Sequence, residues 1–193
     1  MNWALKSVLV IAISCLAIPA TQGQGPKSDI STVIAAGKVN GDTYTNTYFG
    51  ISLTVPKAHF ISSSELKTAG RAANLVQVVS DAPQGAENYT VTIRANSREN
   101  YPKEMTITDY VGRVRREMEK EGLEIKSDGV QVVISGVRFT GVVILVLERP
   151  NFGYYRGIYS GFMNGYAVSF DVQCRSEERL QQILSSSVKI YPN

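Results

Sequence analysis

Apolar and polar residues alternate along several short segments of the chain. The segment 51–55 reads apolar, polar, apolar, polar, apolar and stops at Pro56, and the segment 89–95 alternates in the same way. The segment 75–80 is apolar at most positions. A period of two places every second side chain on one face of a strand. These three segments are therefore predicted to be strands, each with at least one buried face.

A long helix is predicted in the middle of the chain. Apolar residues recur at helical spacing from Ile107 to Met118, Thr106 is placed to cap the first turn, and Asp109 follows three residues later. Gly122 supplies the stop. The other side of this helix mixes arginine, lysine and glutamate three and four residues apart, which is typical of a solvated surface.

Two further helices are predicted. A short one is expected from Ser62 to Gly70, because Ser62 and Glu65 stand at capping-box spacing. A closing helix is expected to begin over 176–178 with its apolar side turned inward, and a last strand over 188–191 should follow it. The inward residues of that helix are Leu180, Ile183 and Leu184.

The second half of the chain is predicted to be rich in strands. The segment 142–147 is apolar at every position, so this strand should be central and covered on both faces. Asn164 and Gly165 join the alternating runs 154–162 and 166–174, which is a strong hairpin signal.

Glycine-containing pairs mark the remaining turns. Asp128-Gly129 and Ser135-Gly136 are predicted to be turns, and Gly141 is predicted to be a bulge. Strands joined by tight turns pair antiparallel. The predicted fold class is therefore α+β, with an antiparallel sheet sandwiched by helices.

The first residues have the parts of a secretory signal peptide. Lys6 precedes an apolar run over 8–18, and small residues follow it. A membrane-spanning helix needs about 18 or more apolar residues, so this run is too short for one. Residues 1–23 are predicted to be cleaved after Ala20 or Gly23, and the protein is predicted to be exported to the periplasm or the extracellular space.

Two alternatives to a cleaved signal peptide stay open. The run over 8–18 could serve as an uncleaved N-terminal anchor, or Cys15 could carry a lipid, although 12–14 lacks the leucine-like residue expected there. After this segment, residues 24–42 are rich in Gly, Ser, Thr and Asn and are predicted to be a flexible tether. A single domain is predicted over 43–193.

Composition and charge exclude several classes of protein. The chain has 44% hydrophobic and 19% charged residues, which suits a globular domain and not a disordered chain. Its net charge of +3 is too small to indicate a nucleic-acid partner, and any membrane association should be peripheral.

Two blocks of the sequence resemble the PsbP-like family, the extrinsic photosystem II subunits and their bacterial relatives. The first block, 44–56, is similar to the family's opening pattern of an aromatic residue, Gly, alternating apolar residues and Pro. The second, 155–187, holds an aromatic strand, the turn Asn164-Gly165, an alternating strand and a helix that ends in three serines. Phe60 stands where the family usually has Trp.

This resemblance implies a PsbP-like α/β/α sandwich over 43–193. The same fold occurs in a nuclear-transport factor that binds the GTPase Ran, and the family's roles are mostly non-enzymatic. They consist of stabilising a membrane complex or binding a partner protein. Metal association is discussed for the photosynthetic members, but no ligand set matches this chain, and no functional residue is carried over.

The catalytic inventory of the chain is small. His59 is the single histidine, and Cys174 is the single cysteine after the signal peptide. A histidine-dependent site would have to pair His59 with Cys174 or a serine. Cys174 shares a predicted strand face with core residues, so we expect a buried, inert thiol and a surface histidine. No catalytic residue and no enzyme activity are predicted.

No metal or cofactor site is predicted. Zinc sites need several histidine or cysteine ligands at close spacing, which this chain does not offer. The loop 81–88 has two carboxylates, but it lacks EF-hand spacing and is expected to be a solvated turn.

The aromatic residues offer one candidate binding surface. Tyr154, Tyr155 and Tyr159 cluster around Arg156 in the sequence, and tyrosine with arginine is a common composition at interfaces. The competing interpretation is that alternate tyrosines pack into the core of the sheet.

We therefore expect a non-enzymatic exported accessory or binding protein that acts through an extracytoplasmic protein partner, with Tyr154, Tyr155 and Arg156 as the candidate contact residues. The alternative hypothesis is a module that binds a small molecule or a divalent metal, or a hydrolase built from dispersed carboxylates.

Overall fold

A computed structural model describes residues 30–62, 68–69, 71–81, 88–149 and 152–191. Within these ranges the α-helices are α1 (Ile30–Ala35), α2 (Ile107–Lys120) and α3 (Glu177–Ser187). The strands are β1 (Gly37–Asn40), β2 (Thr43–Asn46), β3 (Ile51–Thr54), β4 (Ala58–Ser62), β5 (Thr68–Ala69), β6 (Ala72–Ser80), β7 (Thr90–Ser97), β8 (Glu124–Ile134), β9 (Val137–Arg149), β10 (Phe152–Met163), β11 (Tyr166–Cys174) and β12 (Val188–Ile190). A single 3-10 turn spans Arg98–Asn100.

The strands form two antiparallel sheets. The smaller sheet has the order β1-β2-β3-β12, and the larger has the order β4-β6-β7-β11-β10-β9-β8, with β5 attached to β6. The expected α+β architecture with an antiparallel sheet between helices is confirmed. The smaller sheet is an additional layer, which closes when β12 returns to pair with β3.

The larger sheet buries a different apolar cluster on each face. On one face, Phe139, Tyr159 and Phe170 pack with the smaller sheet and α3. On the other face, Met118 of α2 packs with Val142, Ile144 and Ile158. The strand predicted to be covered on both faces is thus covered from Val142 to Ile144, but it lies second from an edge, and Leu147 near its end is exposed.

Local sequence signals explain where α2 begins and ends. The Thr106 hydroxyl accepts a hydrogen bond from the Asp109 backbone N–H, and the Asp109 carboxylate accepts one from the Thr106 backbone N–H at 2.9 Å. Gly122 follows the last turn with a φ of +77°, a conformation that glycine adopts at little cost. Both ends of the predicted helix are confirmed.

The glycine pairs behave in two ways. Asn164-Gly165 and Ser135-Gly136 form the predicted turns, with positive φ at both residues of each pair. The turn predicted at Asp128-Gly129 is wrong, because this pair lies inside β8. Gly129 has a φ of +67° and lies at a register shift of β8 opposite Gly141. The positive φ that glycine can adopt thus forms a bulge in this edge strand and not a turn.

The helix predicted from Ser62 to Gly70 is wrong in its C-terminal part. Ser62 is the last residue of β4, and Thr68–Ala69 pairs with β6 as a strand. At Thr68–Ala69, strand pairing therefore overrides the predicted helix. Residues 63–67 and Gly70 lie outside the described residues, as do residues 1–23, which are predicted to be a signal peptide, and most of the loop 81–88.

The folded part of the chain begins before the predicted boundary at residue 43. Val33 of α1 is fully buried in the core, and β1 pairs along its length with β2. The side-chain amide of buried Asn46 donates to the Val33 carbonyl at 2.9 Å. Burying one such apolar side chain contributes about 1.5–3 kcal/mol, and the pairing of β1 with β2 adds to it in holding the segment. The tether predicted over 24–42 is therefore wrong for 30–42.

None of the helices in the described part of the chain has the length and apolarity needed to cross a membrane.

Candidate functional site

Tyr154, Tyr155 and Arg156 do not form one surface. They are consecutive residues of β10, so their side chains point alternately to opposite faces of the larger sheet. Tyr155 packs against the core between the two sheets, whereas Arg156 lies on the same face as Ile158, the side of α2. Tyr159 is fully buried on the face of Tyr155. The predicted cluster of three tyrosines around Arg156 is therefore wrong, because strand alternation separates its members.

Arg156 itself is not at the surface. Only 4% of the residue is exposed, and its guanidinium forms a bidentate ion pair with Asp171 of β11. The Nε–Oδ1 distance is 2.9 Å and the Nη2–Oδ2 distance is 2.6 Å. This arrangement is the fork-to-fork geometry in which arginine binds carboxylates most strongly. Arg156 is therefore a buried partner of Asp171 and not an exposed contact residue.

A second arginine binds the same carboxylate. The Nη2 atom of Arg94, on β7, lies 2.9 Å from Asp171 Oδ2, and 25% of the Arg94 side chain is exposed while that of Asp171 is fully buried. The Nε atom of Arg94 is buried and has no hydrogen-bond partner among the described residues. Two guanidinium groups thus share one carboxylate, and the group of three carries a net positive charge. We call Arg94, Asp171 and Arg156 the ion triad.

The ion triad determines the ionisation of Asp171. Burial acts to raise the pKa of this carboxyl, but the charges of Arg156 and Arg94 and the hydrogen bond from Arg156 outweigh it and hold the pKa below its usual value. Burial acts to lower the pKa of Arg156, and the charge of Asp171 reverses this, so the guanidinium pKa is raised. Asp171 and Arg156 are therefore both charged at neutral pH.

The ion triad lies within a mostly polar half of one sheet face. The register places Asp171 opposite Thr92 of β7, which in turn lies opposite Gln77 of β6. Arg94 lies between Ser169 and Asn74 in the next row. We define the polar face as the polar side chains that β4, β6, β7 and β11 present on the side of α2: His59, Asn74, Gln77, Thr90, Thr92, Arg94, Asn96, Ser169, Asp171 and Gln173.

The helices explain why this half of the sheet is polar. On this side of the sheet, α2 packs over β8, β9 and β10 and covers the apolar half of the face. The buried residues of α1 and α3 pack against the opposite face of the sheet. At the polar face, Thr92 and Asp171 are buried, whereas Gln77 and Arg94 are half-buried and His59 is exposed. The deepest polar groups thus lie at the centre of the face, beneath partly accessible neighbours.

A groove beside α2 is a second candidate. It has a volume of about 530 Å³ and includes Glu104, Asp109, Arg113 and Arg116 among its lining residues. Arg113 also lies over the ring of Tyr101 at 5.9 Å. The groove is wide open, and its two acidic residues balance its two arginines. It therefore shows no preference for a ligand of either charge.

The rest of the charged side of α2 is a solvated surface, as predicted. Arg115 pairs with Glu119 at 2.9 Å and with Asp128 at 2.7 Å, with about two-fifths of each side chain exposed. Pairs of this kind contribute little to stability, about 0–1 kcal/mol.

His59 and Cys174 are on opposite faces of the larger sheet. His59 lies opposite Val79 on the polar face, at the edge strand β4. Cys174 is buried in the core between the sheets, and its Sγ donates to the Ser176 carbonyl at 3.0 Å. The sheet separates the imidazole from the thiol, so the two cannot form a catalytic dyad. The predicted core position of Cys174 and surface position of His59 are confirmed.

Among the described residues, no group of three or more His, Cys, Asp or Glu side chains could hold a metal ion. Most of the loop 81–88, the segment considered for calcium or manganese, lies outside those residues.

Sequence reasoning found Arg156 but missed its two partners. One signal was present: the hairpin centred on Asn164-Gly165 fixes a register in which Arg156 lies diagonal to Asp171. Asp171 is also the single acidic residue in β4, β6, β7, β10 and β11 together. Arg94 could not be found in this way, because β7 precedes α2 in the chain and nothing local shows that it pairs with β11.

Comparisons with known proteins identify the fold. No model of a known protein family matches the sequence, and no curated protein sequence matches it. Among solved structures, the solution structure of cyanobacterial PsbP (CyanoP) from Synechocystis sp. PCC 6803 is similar with a TM-score of 0.53 and 19% sequence identity. That match covers 81% of this chain and 99% of CyanoP.

A crystal structure of LpqN, involved in cell envelope biogenesis of Mycobacterium tuberculosis, matches with a TM-score of 0.44 and 14% identity over 87% of this chain and 100% of LpqN. The likeness to CyanoP shows that this chain has the PsbP-like fold, as the resemblance of the sequence blocks implied.

Proposed function

We propose that the protein is a non-enzymatic, extracytoplasmic binding protein that acts by docking its polar face against another protein. The observation that carries this proposal is the placement of the ion triad at the centre of a sheet face that α2 covers only in part. A buried cluster of charges costs desolvation free energy, and this one is not needed to fill the apolar core. At a binding surface, such a cluster contributes charge and hydrogen-bond donors for recognising a partner.

Two further observations support the proposal. The N-terminal segment has the pattern of a secretory signal peptide, which favours work outside the cytoplasm. The separation of His59 and Cys174 by the sheet removes the dyad that the sequence allowed. The PsbP-like fold is compatible with a binding role, and folds in general host many functions, so the proposal rests on the face and not on the fold.

The experiment is site-specific photo-crosslinking in the native envelope. A photoreactive residue is placed at Gln77, half-buried near the centre of the polar face, and separately at Val39, which is 44% exposed on the smaller sheet. The expected result is one crosslinked protein from position 77 and none from position 39. Both positions lie on strands, so the comparison isolates the face.

Two other outcomes would redirect the proposal. A crosslink from position 39 alone would move the interface to the smaller sheet. No crosslink from either position, together with a melting temperature raised by a metabolite or a divalent ion, would replace partner binding with a ligand-binding module, since a ligand specific to the folded state raises its stability.

A further inference from the structure

We infer that the partner presents a carboxylate side chain to Arg94, so that the polar face recognises an acidic segment of a protein. This inference rests on the proposed function, and it names the chemistry by which the partner would be recognised.

The charges of the face support this inference. Asp171 is the single carboxylate in the five strands β4, β6, β7, β10 and β11, and two guanidinium groups bind it. One positive charge is therefore left without a counter-charge from these strands. A charge that is partly withdrawn from water interacts more strongly with an opposite charge than a fully solvated one does. An arriving carboxylate would neutralise this excess.

The geometry shows which arginine can receive the carboxylate. Arg156 is committed to Asp171 by both Nε and Nη2, and its side chain is 5% exposed. Arg94 uses Nη2 for Asp171, and 25% of its side chain is exposed. Its Nε is buried and has no hydrogen-bond partner in the described part of the chain. Arg94 is thus the more accessible of the two arginines, and its ion pair with Asp171 holds its guanidinium in place.

The neighbours of Arg94 favour a protein segment over a free ion. Gln77 of β6 lies one row from Arg94, and Thr90 lies two rows away on β7, the strand of Arg94 itself. Hydroxyl and amide groups of this kind both donate and accept hydrogen bonds. A polypeptide that brings an acidic side chain to Arg94 can also pair its own amide groups with these side chains, whereas a small carboxylate would contact Arg94 alone.

The test follows the Nε–Hε resonance of Arg94 by NMR in the exported form of the protein. The probes are a hexaglutamate peptide, a hexaglutamine peptide of the same length, and glutarate as a free dicarboxylate. The expected result is a saturable shift of the Arg94 signal with hexaglutamate and none with hexaglutamine. Glutarate is expected to bind at least about tenfold more weakly, because it forms the ion pair without the surrounding contacts.

Two variants control the test. Because Arg94→Gln lacks the Arg94 signal, binding by the variants is followed by the side-chain amide signal of Gln77, in the adjacent row of the polar face. Arg94→Gln keeps the Arg156–Asp171 pair and should weaken hexaglutamate binding by about tenfold or more. Arg116→Gln removes an exposed arginine of α2 and should leave binding unchanged. Equal binding by the wild type and by Arg94→Gln would overturn the inference, as would a failure of hexaglutamate to bind at all. Binding of glutarate as tight as that of the peptide would overturn the choice of a protein source.

The crosslinking arm separates this inference from the proposed function. If the wild-type protein crosslinks a partner from position 77 and Arg94→Gln does so with equal yield, the proposed function stands and the inference fails. Loss of the crosslink in Arg94→Gln, with retention in Arg116→Gln, supports both. Absence of a crosslink from the wild-type protein marks failure of the proposed function itself.

Discussion

Tyr48 and Asn164 exchange hydrogen bonds between two turns that are 116 residues apart in the chain. The Tyr48 hydroxyl donates to the Asn164 carbonyl at 3.1 Å, and the Asn164 side-chain amide donates to the Tyr48 carbonyl at 2.6 Å. Tyr48 belongs to the turn before β3 in the smaller sheet, and Asn164 to the turn between β10 and β11 in the larger one. The pair therefore ties the two sheets together at one end.

This relationship predicts different effects for two substitutions of Asn164. Asn164→Gly keeps the positive φ of +46° accessible and loses the side-chain hydrogen bond, so unfolding should become easier by about 1 kcal/mol. Asn164→Ala loses the same bond and also strains the backbone, for a total of about 2–3 kcal/mol. Urea unfolding of both variants measures the difference. Equal losses would show that the turn does not strain an alanine.

The lowered pKa of the Asp171 carboxyl predicts that the stability of the protein depends on pH. Its pKa is lower in the folded protein than in the unfolded chain, where it is about 3.9, so the unfolded chain takes up the proton first as the pH falls. The stabilisation from the ion triad is therefore complete above about pH 4 and disappears as the pH drops through the folded pKa. Urea unfolding between neutral pH and the acid limit measures this loss.

Two variants identify the group responsible. Asp171→Asn leaves Arg156 buried without a counter-charge and should destabilise the protein by about 3–5 kcal/mol at neutral pH, and what remains should lack this acid-dependent loss. Arg94→Gln removes one of the two cations and so raises the folded pKa of Asp171 toward its unfolded value. The acid-induced loss should therefore be smaller than in the wild type and should be complete at a higher pH. If the free energy of unfolding falls with decreasing pH in the same way in Arg94→Gln as in the wild type, the role given to that arginine is contradicted.

We expect the substitution Gly141→Ala to destabilise the folded protein. A Cβ at this position would lie 2.5 Å from the Tyr159 ring and 2.6 Å from the Ile158 carbonyl oxygen, and a backbone atom cannot easily move aside. Gly141→Ala should cost about 1–3 kcal/mol or more through overpacking. Gly112→Ala is the matched control, since its Cβ would meet nothing closer than Arg116 at 3.6 Å inside α2. That variant should gain about 1 kcal/mol from helix propensity. Thermal unfolding distinguishes the opposite signs.

We expect the protein to become more stable when the hydroxyl of Tyr159 is removed. The hydroxyl is buried in the core, where no described residue forms a hydrogen bond with it, and burial raises its pKa. An unsatisfied buried polar group costs about 1–3 kcal/mol, so Tyr159→Phe should stabilise the protein. Tyr44 is the control, because its buried hydroxyl accepts a hydrogen bond from Asn46 at 3.2 Å. Tyr44→Phe should lose about 1 kcal/mol. If Tyr159→Phe also loses stability, a water molecule satisfies the hydroxyl.

Much of the fold could be predicted from local pattern. The cap of α2 at Thr106, the stop at Gly122 and the hairpin at Asn164-Gly165 each depend on residues within a few positions of one another. The errors share a cause. Asp128-Gly129 has the composition of a turn, but its place inside β8 is decided by pairing with β9. Val33 lies in a segment that reads as a linker, but it is anchored by Asn46, which local composition does not reveal.

The candidate site was less predictable than the fold for the same reason. Alternation along β10 could have shown that Tyr155 and Arg156 face opposite ways, because this follows from their adjacency. The hairpin register could have paired Arg156 with Asp171. The third member, Arg94, depends on a strand pair formed between β7 and β11, which spans α2, β8, β9 and β10. Non-local contacts of this kind leave no periodic trace in the sequence.

The interrupted register of β8 affects how this protein behaves in concentrated solution. β8 is a long edge strand, and a free edge of this length can template the addition of strands from other molecules. Its first half is broken by two irregularities and has charged residues at Glu124, Lys126 and Asp128, which discourage such addition. Only the regular stretch toward Ile134, with exposed Val133, stays open to it. The edge is thereby protected against self-assembly over its longer part, and any tendency to aggregate is confined to one end.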